Sequence, residues 1–170
     1  VAQAELEDRE KPGEYHQVAF DRGDGTALLI DTTRPELIPA CVALVAHPDD
    51  PRYEPLFGTT VRSPLFEVEL PVLAHELAEP EKGTGIAMIC TWGDVTDVVW
   101  WRELDLPTRS LIGQDGRLAS EIPDWITSVS GRRAYIELAE LYPNQARRKI
   151  VALLAESGDL RGEPRRITHP

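Results

Sequence analysis

Two aspartates three residues apart, Asp94 and Asp97, close the stretch Gly83-Thr84-Gly85-Ile86-Ala87-Met88-Ile89-Cys90-Thr91-Trp92-Gly93-Asp94-Val95-Thr96-Asp97. At the start of a helix they would lie one turn apart, nearly on one face, and present two carboxylates to one spot. The bland reading of Asp-x-x-Asp at a helix start is capping plus compensation of the helix dipole. Gly83 and Gly85 flank a threonine, and glycine lets another molecule approach the backbone closely. A second stretch, Asp31-Thr32-Thr33-Arg34-Pro35-Glu36-Leu37, offers hydroxyls, free backbone N–H groups and one cation where a strand runs into a helix. Taken alone it is an ordinary strand-to-helix junction capped by threonine.

The elements that would position these groups are short strands. Tyr15 to Phe20 and Thr26 to Thr32 flank the turn signal Arg22-Gly23-Asp24-Gly25 and predict a hairpin. Pro35 starts a short helix, and Cys41 to Ala46 reads as a buried strand. Tyr53 to Phe57 is a helical turn ending at Gly58, followed by strands over Thr59 to Arg62 and Glu67 to Ala74. Ile86 to Thr91 has the length and composition of a buried strand, and a helix from Asp94 runs to about Leu104, anchored by Trp100 and Trp101. Thr108 to Ile112 is expected as a strand before the turn 114–117. Arg132 to Tyr142 and Pro143 to Glu156 are expected as helices, the second with Gly158 past its end. The tail from Arg161 is expected as a basic loop. About eight short strands with short connections predict a mainly β, mostly antiparallel closed barrel with inserted helices and two helices appended.

Charge and composition narrow the function. The 170 residues suit one domain, and 42% of them are apolar. A net charge of −11 argues against non-specific adhesion to nucleic acid, so any such contact is local and end-directed. Cys41 and Cys90 each sit in an apolar run and read as buried thiols of a reduced, cytoplasmic protein. No apolar stretch approaches membrane-spanning length. His47 has no second His or Cys at ligand spacing, so no metal is expected. Arg147-Arg148-Lys149 reads as a solvated helix face that also suits RNA backbone. There is no Walker loop, dinucleotide fingerprint, serine elbow or zinc signature.

Thr32-Thr33-Arg34-Pro35-Glu36, then Gly83-Thr84-Gly85, then Asp94 and Asp97 form an ordered trio. Together they resemble the editing domain inserted in the class I valyl-, isoleucyl- and leucyl-tRNA synthetases. Val45-Ala46-His47-Pro48-Asp49-Asp50-Pro51-Arg52-Tyr53 with Leu56-Phe57-Gly58 is similar to the valyl branch. The resemblance spans most of residues 15–118. It implies a closed β-barrel of the editing-domain type with C-terminal helices, divided as an entry linker (1–14), the barrel (15–131), and a helical segment with exit linker (132–170). The charged start at Gln3 to Asp8 and the abrupt stop at Pro170 are expected to be the junctions with the synthetic core.

The resemblance also implies an activity, hydrolysis of mischarged Thr-tRNA(Val) at the ester to the terminal adenosine, with no cofactor. The expected partners are the acceptor end of the aminoacylated tRNA and the remainder of the synthetase chain, in a monomer without membrane attachment. Asp97 matches the aspartate that pairs with the substrate ammonium, and Asp94 is assigned to the side-chain hydroxyl or to orienting water. Thr32 and Thr33 line the aminoacyl and adenosine pocket, Arg34 stands by ribose or phosphate, and Gly83, Thr84 and Gly85 supply close backbone. Some positions depart from the usual valyl pattern. Met88 stands in place of a lysine, Leu37 in place of a threonine, Lys82 in place of an aromatic, and Gly93 in place of a histidine. They make the pocket wall more apolar.

Three other readings compete. An isoleucyl-type domain would clear Val-tRNA(Ile) and need no polar partner for a hydroxyl. A non-catalytic module would only hold a tRNA acceptor end. An Asp-pair metal phosphoesterase would need further ligands near Asp94 and Asp97.

Overall fold

The computed structural model of the chain describes residues 13–90 and 102–166. Strand β1 (Glu14–Asp21) turns back into β2 (Ala27–Thr32), and the pair is antiparallel from His16↔Thr32 to Asp21↔Ala27. The turn between them is built from side chains that replace ladder bonds. Asp21 Oδ1 accepts from Gly23 N–H at 2.8 Å, and Asp24 Oδ1 accepts from Thr26 N–H at 2.9 Å. Next come a 3-10 helix over Pro35–Ala40 and β3 (Cys41–Ala46). Strands β4 (Thr60–Arg62), β5 (Glu69–Ala74) and β6 (Ile86–Cys90) follow. Helices α1 (Val129–Ile136) and α2 (Pro143–Ser157) lead to β7 (Leu160–Arg166).

The strands join in the order β2-β1-β4-β5-β3-β6, with β7 on the same edge of β1 that β4 reaches at Asp21↔Arg62. All pairs are antiparallel except β3 with β5. The two ends of this path, β2 and β6, approach each other within 8 Å between Cα atoms. The sheet is therefore a nearly closed barrel. Val18, Phe20, Leu28, Ile30, Leu44 and Leu70 fill its interior. β3 is buried along its whole length because its outer face is covered too: Val42, Ala43 and Val45 pack with Ala78, Ile89 and Leu106. A strand covered on both faces reads as an unbroken apolar run, which is what Cys41 to Ala46 shows. Both cysteines are buried, and their thiols donate to the carbonyls of Ala43 and Leu37.

The C-terminal helices share this core. Tyr135, Leu138, Ala146, Ile150 and Leu154 belong to the interior cluster, and the Tyr135 hydroxyl donates to Ala119 O at 2.7 Å. Pro143 opens α2, and Gly158, at φ +83°, ends it.

Three segments differ from the sequence expectation. Residues 108–112 form no strand but make a single bridge, Ile112↔Leu118, since Arg109 turns inward and donates to Cys41 O at 2.7 Å. The first helix starts earlier and stops at Ile136, because the next turn is diverted into pairing with the neighbouring loop. Glu140 N–H donates to Leu118 O and Leu118 N–H to Leu141 O, at 3.0 and 2.9 Å. The expected basic loop at the C-terminus is β7, which satisfies the open edge of β1. Gly162-Glu163-Pro164 bulges out between Arg161 and Arg165, so no alternation betrays the strand. Seven named strands result where about eight were expected. The expected helix carrying Trp100 and Trp101 lies largely outside the described residues, as does the entry segment before Gly13.

Candidate functional site

Of the candidate residues that the structure describes, Thr32 to Leu37 follow from β2 and Lys82 to Met88 lead into β6, and these two strands approach each other at the barrel seam. β2 delivers Thr32, which is buried, and its Oγ1 accepts from Arg34 N–H at 3.1 Å. That bond turns the chain out of the strand. Two prolines, Pro35 and Pro39, then favour a short 3-10 helix over a longer α-helix. Thr33 and Arg34 are half-buried at its entrance. Leu37 faces the interior cluster, and its carbonyl accepts from the Cys90 thiol at 3.6 Å. The helix is held from outside by Trp125, whose Nε1 donates to Pro39 O at 2.7 Å.

Across the seam, Lys82 is exposed, and its carbonyl accepts from Gly85 N–H at 2.9 Å, closing a tight turn. Gly83 and Gly85 both have positive φ, +58° and +84°. A Cβ on Gly85 would lie 2.3 Å from Arg52 Nη2 and 2.8 Å from Pro80 O, so only glycine fits. The turn is clasped by the segment after β3. Tyr53 OH donates to Thr84 O, and Arg52 Nη2 donates to Pro80 O at 2.9 Å. Arg52 is itself gripped by Asp50, through Nε at 3.0 Å and Nη2 at 2.7 Å. The hydrogen bond from Arg52 holds the Asp50 carboxyl below the usual carboxylate range. Met88 is half-buried on β6, opposite Leu44, and packs on the interior cluster. Asp94 and Asp97 lie outside the described residues.

Sequence reasoning missed the charged pair under the 3-10 helix. Glu36 is fully buried, and Arg147 of α2 donates to it twice, from Nε at 3.0 Å and Nη2 at 2.7 Å. Arg34 Nε stands 3.6 Å from the same carboxylate. The basic run 147–149 is therefore split in use: Arg147 serves the core and Lys149 pairs with Glu137 at 3.3 Å.

His16 is the other unforeseen group. It is the register partner of Thr32 and shares the barrel's inner face with Val18 and Ile30. It is buried, and its Nδ1 meets no partner among the described residues. Burial pushes its pKa below the ordinary 6.5; Glu14 opposes that shift, Arg147 reinforces it and Glu36 opposes it. The unfolded chain takes up this proton near 6.5, the folded chain only at lower pH. In that window the unfolded state binds more protons, so stability falls as pH drops below about 6.5 and levels off below the folded value. His16→Phe is expected to flatten this part of a urea-denaturation profile against pH. A profile unchanged by the substitution would contradict a neutral buried imidazole.

Among the described residues no cluster of three or more His, Cys, Asp or Glu is arranged to hold a metal ion. None of their helices is long and apolar enough to cross a membrane. An open groove by Asp21, Arg62, Glu67 and Arg161 lies at the other end of the β1–β2 hairpin from Thr32.

A barrel with its seam lined in this way has the fold of the editing domain, known as CP1, inserted in aminoacyl-tRNA synthetases. The chain matches GlLeuRS-CP1 with a TM-score of 0.63 at 12% identity, covering 92% of this chain and 100% of that one. It matches equally, at 0.63 and 17% identity, the LeuRS of Agrobacterium radiobacter K84 agnB2 in a ternary complex with tRNA and LeuAMS, covering 98% of this chain and 22% of that one. By sequence the chain is homologous from end to end to a segment of valine–tRNA ligases. It is 68% identical over 170 residues to the enzyme of Thermobifida fusca and 62% identical over 170 residues to that of Leifsonia xyli, covering all of this chain each time. It spans 19% and 20% of those relatives' lengths. No family model matches it.

Proposed function

We propose that the chain is a hydrolytic editing domain that clears threonine from Thr-tRNA(Val). The observation that carries this reading is the convergence of Thr32 to Arg34 and Gly83 to Gly85 on one barrel seam, in a chain homologous to valine–tRNA ligases. The chemical need is plain. Valine and threonine are nearly isosteric, and their confusion is the standard instance of an apolar pocket's weak power to reject an added hydroxyl. A second pocket that hydrogen-bonds the hydroxyl leaves its own polar groups unpaired when valine enters, at about 1–3 kcal/mol each.

In this reading Asp97 pairs with the substrate ammonium and Asp94 serves the hydroxyl or the attacking water. Thr32 and Thr33 line the aminoacyl and adenosine pocket, with Leu37 and Met88 as its apolar neighbours. Arg34 stands by ribose or phosphate, with Lys82 at the entrance. The clasped turn at Gly83, Thr84 and Gly85 presents backbone to the adenosine. Water attacks the ester directly, aided by positioning and by the vicinal ribose hydroxyl. The partners are the acceptor end of the tRNA and the rest of a synthetase. Support for the second comes from β1 and β7, which pair at Glu14 and Arg166 so that the chain enters and leaves the barrel side by side. In this division residues 1–14 and 132–170 form the entry and exit sides, with α1 and α2 of the exit side packed into the core of the 15–131 barrel and β7 paired to its first strand.

Incubating the chain at high concentration with Thr-tRNA(Val) tests this. Release of threonine is expected to exceed spontaneous ester hydrolysis and to be unchanged by EDTA. Loss of activity in chelator would favour the metal-dependent alternative instead.

A further inference from the structure

Asp31 stands on β2 just before Thr32, with its side chain on the opposite, outer face of the sheet. That side chain is 1% exposed. Its Oδ1 accepts from Gln17 Nε2 at 3.4 Å, across the register pair Gln17↔Asp31. Its Oδ2 is held by Arg165. Arg165 is the register partner of Tyr15 on β7, so its guanidinium reaches over β1 to meet a carboxylate on β2. Three neighbouring strands are thereby tied on one face. The remaining side of Asp31 is covered by Gly83. A Cβ at Gly83 would lie 3.0 Å from Asp31 Cβ and 3.3 Å from Oδ2, so the glycine backbone rests directly on this side chain.

We propose that Asp31 is a positioning residue for the turn Gly83-Thr84-Gly85, and that Arg165, by holding its carboxylate, makes the seating of that turn depend on β7 being docked. The strand is suited to such a role. It is exposed from Arg161 to Arg166, interrupted by the bulge at Gly162, and joined to the barrel by its ladder with β1 and by this ion pair. Without Arg165, the buried carboxylate of Asp31 loses its charged partner and is drawn toward water. Movement of that side chain removes the surface on which Gly83 sits. The consequence for catalysis rests on the reading of this turn as the adenosine and ester site, whereas the mechanical coupling does not.

The test is amide hydrogen exchange beside deacylation kinetics, on the whole chain. In Arg165→Met and in Asp31→Ala, exchange of Gly85 N–H, bonded to Lys82 O, is expected to rise about tenfold by local opening. Exchange of Val72 N–H, bonded to Thr59 O on a distant part of the sheet, is expected to stay unchanged. Arg165→Lys, which keeps the charge, is expected to restore most of the protection. KM for Thr-tRNA(Val) is expected to rise about tenfold in Arg165→Met with kcat held within about twofold, as for lost positioning of a bound group. Unchanged exchange at Gly85 in both variants, or an equal rise at Val72, would overturn the proposal. A local rise at Gly85 in a chain whose unaltered form releases no threonine would uphold the coupling and sink the functional reading alone.

Discussion

Replacing Asp97 by alanine is expected to lower kcat/KM for release of threonine from Thr-tRNA(Val) by on the order of ten- to a hundredfold. A hydrogen bond to a charged group contributes about 1.5–3 kcal/mol, and each 1.4 kcal/mol is a factor of ten. The carboxylate would meet the substrate ammonium before and during ester cleavage, so it acts on binding at both stages. The loss should therefore fall mainly on KM. Asp97→Asn, which keeps a hydrogen-bond acceptor but no charge, should sit between the two. Steady-state deacylation over a range of charged tRNA concentrations separates these cases. Wild-type kinetics in Asp97→Ala would remove the ammonium anchor from the account.

The second large effect concerns stability. Arg147→Met is expected to destabilise the fold by about 3 kcal/mol, the lower end of the range for stripping one partner from a buried ion pair. The lower end applies because the Arg147 side chain is 42% exposed, whereas that of Glu36 is fully buried. For a domain of this size, about 2–4 °C per kcal/mol translates this into a fall in melting temperature on the order of 6–12 °C. Changing both partners, Arg147→Met with Glu36→Gln, should recover part of the loss, since the stranded charge disappears. A melting temperature that moves by less than about 2 °C in Arg147→Met would mean that water or Arg34 takes over the carboxylate. The pair also ties α2 to the helix that follows Thr32 and Thr33, so the same variant should weaken deacylation.

The barrel was legible where one physical signal dominated. The β1–β2 hairpin followed from a Gly-rich turn between alternating runs, and β3 from an apolar run that turned out to be covered on both faces. The 3-10 helix and the clasped turn were legible as motifs because their prolines and glycines impose backbone shape locally. What stayed hidden was long-range and charged. Glu36 and Arg147 are 111 residues apart, and Asp31 and Arg165 are 134 apart; nothing in either local segment points to the partner. β7 was hidden because its register is broken by a bulge and its residues are mostly charged. The helices after residue 128 were visible as helices, but only the packing of Tyr135, Ile150 and Leu154 put them in the barrel's core.

The most direct test of the central claim sets Thr-tRNA(Val) beside Val-tRNA(Val) and follows ester loss from each with the same concentration of the chain. The account predicts that threonine is released and valine is kept, because only the hydroxyl satisfies the polar groups of the pocket. Equal release of both would contradict it, and would mean that Leu37 and Met88 have left a pocket unable to tell the two side chains apart.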